Sequence, residues 1–195
     1  NAGDVKFVPQ RDIEYKQEIT DEDRTILGKD VPDFTYGVNL SLQYKGFEFS
    51  MFGQGISGTK VAFDVYGVHP FYHGQDNPRK YHLKRWTEEN PNPYAAYPRL
   101  YSASSVHTTY NRNFSDYHLF DSDYFRFKTL SLGYTVPSAT VKSWGLQSLK
   151  VYVTGENLFT VRADKKMEDF DPETAGGVIY TLGTKSVAFG VNISF

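Results

Sequence analysis

The chain has no cysteine, only two tryptophans and no hydrophobic run long enough to form a transmembrane helix. Without cysteine it forms no disulfide and has neither a thiolate metal ligand nor a cysteine nucleophile. A helical span needs about 18 consecutive apolar residues, and no such run occurs in the sequence. The 21 basic and 23 acidic residues leave a formal charge of -2, which argues against binding to nucleic-acid phosphates.

Aromatic residues are plentiful, with 15 tyrosines and 15 phenylalanines among the 195 residues. Both residue types favour β-strands, and the 16 glycines and 9 prolines provide turn positions. Helical periodicity is hard to find in any part of the sequence. The composition therefore predicts an all-β fold, and the length fits one domain or a piece of a larger one.

The clearest alternation of apolar and polar residues lies in the segment 185–195. Every second residue there is apolar, and the residues between are small or polar. Successive side chains of a strand point to opposite faces, so the pattern predicts a strand with one apolar face. The apolar positions are Val187, Phe189, Val191, Ile193 and Phe195. A second such strand, 35–44, has Tyr36 and Tyr44 at the two ends of its apolar face, as strands that cross a membrane do.

Three further segments, 47–55, 123–134 and 148–157, alternate less regularly. In the segment 123–134, Phe125 and Phe127 have odd numbers, whereas Leu130 and Leu132 have even numbers. A regular strand would therefore place the two pairs on opposite faces. One extra residue near Thr129, a β-bulge, would bring both halves to the same face. The alternative is that the two leucines turn to the inner face. Four charged residues fall on the polar faces of these strands: Glu48, Arg126, Lys150 and Glu156.

The connections between the predicted strands alternate between short and long. Two residues join the first pair, whereas the segments 56–122 and 158–184 are long loops. Long loops are unusual in compact soluble domains but normal on the outer side of membrane barrels. A soluble β-sandwich explains the alternation but not these connections. The pattern predicts about five strands of a large transmembrane antiparallel β-barrel with long extracellular loops.

Five is an odd number of strands, whereas bacterial single-chain barrels have an even number. We therefore expect residues 1–195 to form the C-terminal part of a barrel, with residue 1 on the extracellular side. In this interpretation the chain lacks the plug that fills such a barrel. Strands near 35–44, 47–55, 123–134, 148–157 and 185–195 would form this part of the wall.

Seven motifs, taken in order, resemble the C-terminal barrel region of the SusC/RagA family of TonB-linked outer-membrane proteins. They cover nearly the whole chain, and the most distinctive of them is Tyr124–Tyr134. The others are Pro32–Gly37, Tyr44–Phe47, Arg85–Pro91 with Tyr97–Leu100, Ser115–Tyr117, Glu156–Thr160, and Asp171–Glu173 together with the final Phe195.

The resemblance implies a barrel of about 22 strands around an N-terminal plug. It implies a location in the outer membrane of a Gram-negative, Bacteroidetes-like cell, and no enzymatic activity or cofactor. The expected function is import of a glycan or peptide, with a SusD-like surface lipoprotein and with the TonB complex, which would act through the missing N-terminal part. The alternative is a non-transport β-rich binding module, carbohydrate-binding or adhesin-like.

Two groups of candidate site residues follow. Aromatic and arginine side chains in one loop would bind a ligand or a partner. A structural role or docking of the lid-like lipoprotein is favoured over substrate choice, because the motif resembles a family-wide feature. These residues are Arg85, Trp86, Tyr94, Tyr97, Arg99 and Tyr101. The resemblance also implies that the apolar positions of the last strand, Val187 to Phe195, act as an assembly signal.

No metal or catalytic site is predicted. His69 and His73 have the spacing of a helical metal pair, but Pro70 and the neighbouring glycines argue against a helix. The segment Val8–Lys16, where family members often carry a calcium-like loop, lacks the D-x-[DN]-x-[DN]-G spacing. No nucleophile elbow connects the serines, histidines and aspartates of the loops.

Overall fold

The structure, a computed structural model, describes residues 1–10, 19–62, 69–71, 77–165, 168, 170–173 and 183–195. The chain divides into two compact units. The loop unit comprises Asn1–Asp30, Lys60–Ser122 and Asp164–Tyr180. The sheet unit comprises Val31–Thr59, Asp123–Ala163 and Thr181–Phe195.

Strands dominate the described part of the chain. In chain order they are β1 (Phe34–Tyr44), β2 (Phe47–Ser57), β3 (Lys60–Ala62), β4 (Leu119–Asp121), β5 (Tyr124–Thr135), β6 (Ser148–Arg162) and β7 (Ser186–Ser194). Among the described residues, short α-helices are α1 (Val106–Asn111) and α2 (Ser138–Lys142). Short 3-10 turns there include Asp21–Asp23, Lys80–Lys84 and Asp116–His118.

The sheet unit is one antiparallel sheet with the strand order β1-β2-β5-β6-β7. The predicted all-β fold class is therefore confirmed. Four of these long strands lie close to the segments that alternate, whereas β6 continues past residue 157 to Arg162. The segment 56–122, predicted to be one loop, also contains the short strands β3 and β4, which are too short to show an alternation.

A two-residue turn joins β1 to β2. Lys45 and Gly46 both have positive φ, 46° and 86°. Two such residues form the type I′ turn, whose twist matches that of the strands it joins. The turn also contacts β5, because Thr135 donates its backbone N–H to the carbonyl of Gly46 at 2.8 Å. A side chain at Gly46 would come within 2.6 Å of the Thr135 carbonyl oxygen.

The predicted bulge in β5 is confirmed. Phe52 of β2 lies opposite Thr129, but its neighbour Gly53 lies opposite Phe127, and the pairing with β6 shifts at the same place, so Lys128 is the extra residue. Because of this extra residue, Phe125 and Phe127 share a face with Leu130 and Leu132. On β6 the irregularity includes Asn157, whose φ of 52° is one that asparagine tolerates better than most residues.

At the other end of β2, Asp123 caps the chain as it leaves the sheet. Its carboxylate accepts hydrogen bonds from the hydroxyl of Ser57 at 2.9 Å and from the backbone N–H groups of Gly58 at 2.8 Å and Thr59 at 3.1 Å. Gly58 has a φ of 84°, which glycine adopts without strain. The cap satisfies backbone donors that the sheet no longer pairs.

The loop unit has a small core of aromatic, histidine and aliphatic side chains. Val61 of β3 and Phe120 of β4 are buried where the two strands pair. The remaining buried residues lie in short turns and irregular segments, and they include His69, His82, His118 and Phe170. Buried imidazoles in place of aliphatic side chains give this core a polar character.

Candidate functional site

One face of the sheet is apolar and open. Cross-strand rows such as Leu42, Phe49, Leu132, Val153 and Phe189 contain only hydrophobic side chains. Many residues of this face are exposed, and the side chain of Phe189 is 84% exposed. The exposed members include Tyr36, Val38, Leu40, Leu42, Tyr44, Phe47, Leu132, Val151, Phe159, Val161, Val187, Phe189, Val191 and Ile193. Exposed apolar surface of this extent marks an interaction with a membrane or a partner.

Tyrosines lie near both ends of this apolar face. Tyr44 and Tyr134 are at the end with the short turn, where the Tyr134 ring packs on Phe47 with 4.6 Å between ring centres. Tyr36 is at the opposite end and stacks on Phe125 with 6.0 Å between centres. Tyr36 and Tyr44 are eight positions apart on β1, which corresponds to about 27 Å along the strand. A tilt of about 40° reduces this length to roughly 21 Å across the membrane, close to the apolar band of about 25 Å in such barrels.

The opposite face of the sheet is polar. Lys150 of β6 forms an ion pair with Glu48 of β2. The pair passes over β5 at Gly133, where a side chain would come within 3.0 Å of the lysine. Thr135 donates its hydroxyl to the other carboxylate oxygen of Glu48 at 3.3 Å. Glu48, Gly133 and Lys150 line a cavity of about 330 Å³ together with Ser41, Gln43, Ser50, Ser131, Tyr152, Thr154 and Asn192.

Arg126 and Glu156, the other two charged residues assigned to the polar face, also lie there. Arg126 is buried, donates its Nε–H to the hydroxyl of Thr160 at 3.0 Å and lies over the ring of Tyr124. Glu156 accepts a hydrogen bond from the hydroxyl of Ser186 at 3.0 Å. Neighbouring polar side chains thus satisfy the charges on this face.

The five residues proposed as an assembly signal lie on or directly after β7. Val187, Phe189, Val191 and Ile193 project from the apolar face of the strand, and Phe195 follows it with 83% of its side chain exposed. Within the described residues β7 pairs only with β6, and β1 pairs only with β2. The sheet therefore has two open edges, each a template for pairing with a further strand.

In the loop unit, three of the six proposed binding residues form one stack. The guanidinium of Arg99 lies 5.6 Å from the ring centre of Trp86 and 5.6 Å from that of Tyr101. The same guanidinium pairs with Glu88 at 2.8 Å. Arginine between two aromatic faces is a favourable cation–π arrangement.

The other three residues point in different directions. Arg85 and Tyr97 are joined by a parallel β-bridge, so their two segments run side by side. The Tyr97 side chain points inward, with its hydroxyl 3.2 Å from Nδ1 of His69. Burial raises the pKa of the Tyr97 phenol, and the opposing effect of the Arg112 charge is smaller. Tyr94 is 91% exposed. The structure thus brings five of the six residues into one substructure and leaves Tyr94 free at the surface.

The stack also holds residues 1–5, a contact that the sequence did not predict. Gly3 lies against Trp86 so closely that a side chain there would come within 2.5 Å of the indole. The backbone N–H of Arg99 donates to the Gly3 carbonyl at 2.9 Å. Asp4 accepts a hydrogen bond from Asn111 at 3.0 Å and lies 2.9 Å from Nδ1 of His107. No spacing rule relates residues this far apart in the chain.

No group of three or more histidine, cysteine or acidic side chains in the described part of the chain is placed to hold a metal ion. His69 is buried among aromatic rings, and His73, the second member of the spaced pair, lies outside the described residues. Most of the segment Val8–Lys16 also lies outside them. No helix among the described residues has both the length and the hydrophobicity to span a bilayer.

Curated sequences provide two relatives from Formosa agariphila. TonB-dependent receptor P3 is 30% identical over 149 residues, 76% of the chain, and TonB-dependent receptor P26 is 28% identical over 187 residues, 91% of the chain. The chain is a homologue of TonB-dependent receptors. It spans only 14% and 18% of the length of these two proteins. The resemblance inferred from the motifs is confirmed, although no family model matches the chain.

Solved structures agree on the fold. The RagAB peptide importer in its open-open state matches 96% of the chain with a TM-score of 0.66 and 24% identity. The RagAB peptide transporter matches 84% of the chain with a TM-score of 0.59 and 26% identity. The chain covers 20% and 17% of those two chains. The fold of this chain therefore resembles a part of these much larger proteins.

Proposed function

We propose that the chain is part of the wall and external loops of a TonB-dependent transporter in the outer membrane. The observation that carries this proposal is the sheet, which has an open apolar face, a polar face with satisfied charges, and tyrosines near both ends of the apolar band. Its strands have 9 to 15 residues, and about 9–11 suffice to cross a bilayer with the usual tilt. The homology to TonB-dependent receptors supports the same function.

The substrate of this transporter is a peptide or a glycan, and we favour a peptide. The similarity to the RagAB peptide transporter at 26% identity supports the peptide. The energy would come from the TonB complex, which would act through parts of the protein outside these 195 residues. Because the chain covers less than a fifth of either curated relative, most substrate contacts would lie elsewhere.

We further propose that a SusD-like lipoprotein docks on the loop of residues 85–101, which we call the aromatic loop. Tyr94 is the strongest candidate for a direct contact, since its ring is almost fully exposed and interfaces are enriched in tyrosine. Trp86, Arg99 and Tyr101 would act through their stack, which holds the loop in shape. Tyr94→Ala should reduce copurification of the lipoprotein with the complete protein, and Tyr94→Phe, which keeps the ring, should not. If Tyr94→Ala copurifies as much lipoprotein as the unmodified protein does, Tyr94 is not part of the interface.

The experiment that tests transport uses cells in which the gene is present or deleted. Uptake of a fluorescently labelled peptide mixture and of a labelled oligosaccharide is measured with and without an uncoupler of the proton-motive force. We expect deletion to abolish an uncoupler-sensitive uptake of peptide. Unchanged uptake of both substrates in the deletion strain, or recovery of the complete protein in the soluble fraction, would contradict the proposal.

A further inference from the structure

Three imidazoles share one buried core in the loop unit. His69 and His82 are each 1% exposed and His118 is 4% exposed. The rings of His69 and His118 lie 5.4 Å apart, and the ring of His82 lies 4.6 Å from that of Tyr97. Two of the five histidines of the chain, His69 and His82, therefore lie beside Tyr97, and His118 packs on His69. Histidine is the side chain whose charge changes between about pH 5 and 8, so this core contains titratable groups in place of inert ones.

The backbone holds His82 in a form that accepts a hydrogen bond. Its Nδ1 receives the backbone N–H of Arg79 at 2.7 Å. If Nδ1 of His82 carried a proton, its N–H would face the backbone N–H of Arg79 and the hydrogen bond would be lost, because a charged imidazole has no acceptor. The site is buried, so water cannot replace the lost hydrogen bond without opening the turn Lys80–Lys84.

Three arginine side chains lie beside the core. The guanidinium of Arg112 donates to the carbonyl of Pro70 at 3.2 Å, next to His69, and that of Arg85 donates to the carbonyl of His82 at 3.4 Å. Arg79 lies over the ring of Phe170.

The third imidazole, that of His118, has its own surroundings. It lies 3.4 Å from the hydroxyl of Ser115 and packs on the rings of Phe114 and Tyr117. Asp116, in the same 3-10 turn, is exposed. The phenols cannot offset an imidazolium charge by ionising, because burial raises the pKa of both Tyr97 and Tyr117.

We propose that the loop unit is a pH-responsive element in which protonation of the buried imidazoles opens the core. As the pH falls from about 7.5 to about 5.5, the segments 77–86 and 112–120 would lose protection while the sheet unit keeps its own. This inference goes beyond transport, because it concerns the conformation of the unit that carries the aromatic loop. It would make docking on that loop weaker in acid.

His107 provides a matched control within the same unit. Its Nδ1 lies 2.9 Å from the carboxylate of Asp4 and its Nε2 lies 2.8 Å from the side-chain nitrogen of Asn1. A third of this side chain is exposed, so water can replace either hydrogen bond without opening a core. Burial raises the pKa of Asp4, but hydrogen bonds from the backbone nitrogen of Asn1 and from Asn111 outweigh it and lower the pKa below its usual range. A lowered pKa means that the contribution of Asp4 to stability is lost only below this pH window.

Hydrogen exchange on the complete, detergent-solubilised protein tests the proposal, with labelling times scaled to the intrinsic exchange rate at each pH. We expect peptides from 77–86 and 112–120 to exchange at least about tenfold faster at pH 5.5 than at pH 7.5, as opening of a local unit permits. Peptides from β2 and β6 should not change. His82→Asn, whose amide oxygen can replace Nδ1 as acceptor, should reduce the acid response, and His107→Asn should leave it intact.

Equal protection of the two segments at both pH values in the unmodified protein would overturn the proposal, whether or not a variant folds. An acid response of the same size in β2 and β6 would also overturn it, because it would show general unfolding. If a folded His82→Asn protein shows the same acid-induced increase in exchange as the unmodified protein, His82 does not contribute to the pH response. None of these results depends on which substrate is imported.

Discussion

The ring of Phe125 on β5 covers Gly53 on β2, and the two residues fit only because glycine has no side chain. A methyl group on Gly53 would come within 2.3 Å of the Phe125 ring. The stack continues to Tyr36 on β1, so one aromatic surface spans three strands. This contact depends on the bulge at Lys128, which turns Phe125 to the apolar face.

Substitution of Gly53 should therefore damage the sheet. We expect Gly53→Val to destabilise the complete protein by about 1–3 kcal/mol, because the added side chain displaces the Phe125 ring. Gly37→Ala is the control, since a side chain there meets only ordinary contacts at 3.6 Å. The temperature at which heat-modifiable mobility is lost on gels reports the difference. Equal temperatures for the two variants would contradict this reading of the aromatic surface.

The sheet could be predicted from the sequence far better than the loop unit. Alternation has a period of two residues and repeats over whole strands, so Val187 to Phe195 indicated both a strand and its apolar face. The bulge could be located because Phe125 and Leu130 have opposite parity. The loop unit is held by single contacts between distant residues, such as Arg99 with Gly3 and Asp4 with Asn111. No local pattern encodes such contacts, and the strands β3 and β4 have only three residues each.

The ion pair between Lys150 and Glu48 should contribute little to stability, but it should determine which charges can be placed on the polar face. About a third of each side chain is exposed, so we expect Lys150→Met to reduce stability only slightly. Glu48→Lys should cost more, because two lysines would then meet above Gly133. The double exchange Glu48→Lys with Lys150→Glu should recover most of that loss. Thermal unfolding of the three variants measures these effects, and a double exchange no more stable than Glu48→Lys alone would show that the two residues do not interact.

Arg99 should stabilise the loop through its planar guanidinium. We expect Arg99→Ala to lower the free energy of local opening of the segment 86–101 by about 1 kcal/mol. Arg99→Lys should restore little of this free energy, because an ammonium cannot stack between two rings. Arg24→Ala is the control, since its ion pair with Asp21 at 2.9 Å is almost fully exposed. Hydrogen exchange of the segment reports the change. Full recovery with lysine would mean that charge alone matters at this position.

The proposed assembly signal can be tested at Phe195 by substitution. We expect Phe195→Asp to lower the amount of complete protein inserted in the outer membrane several-fold, because a charge would replace an exposed ring that follows the edge strand. Ser194→Asp, one residue earlier on the polar face, should have a smaller effect. Accessibility to protease at the cell surface measures insertion. Similar amounts of both variants would assign Phe195 no role in assembly.

The central claim is that the apolar face of the sheet contacts lipid. Its most direct test is the comparison of Val191→Arg with Asn192→Arg in the complete protein, since the two neighbours on β7 point to opposite faces. A charge on the lipid side costs roughly 2–4 kcal/mol at the bilayer midplane, whereas a charge on the polar side is tolerated. We therefore predict that Val191→Arg greatly reduces the heat-modifiable protein recovered from outer membranes and that Asn192→Arg does not. Equal recovery of the two variants would contradict the account.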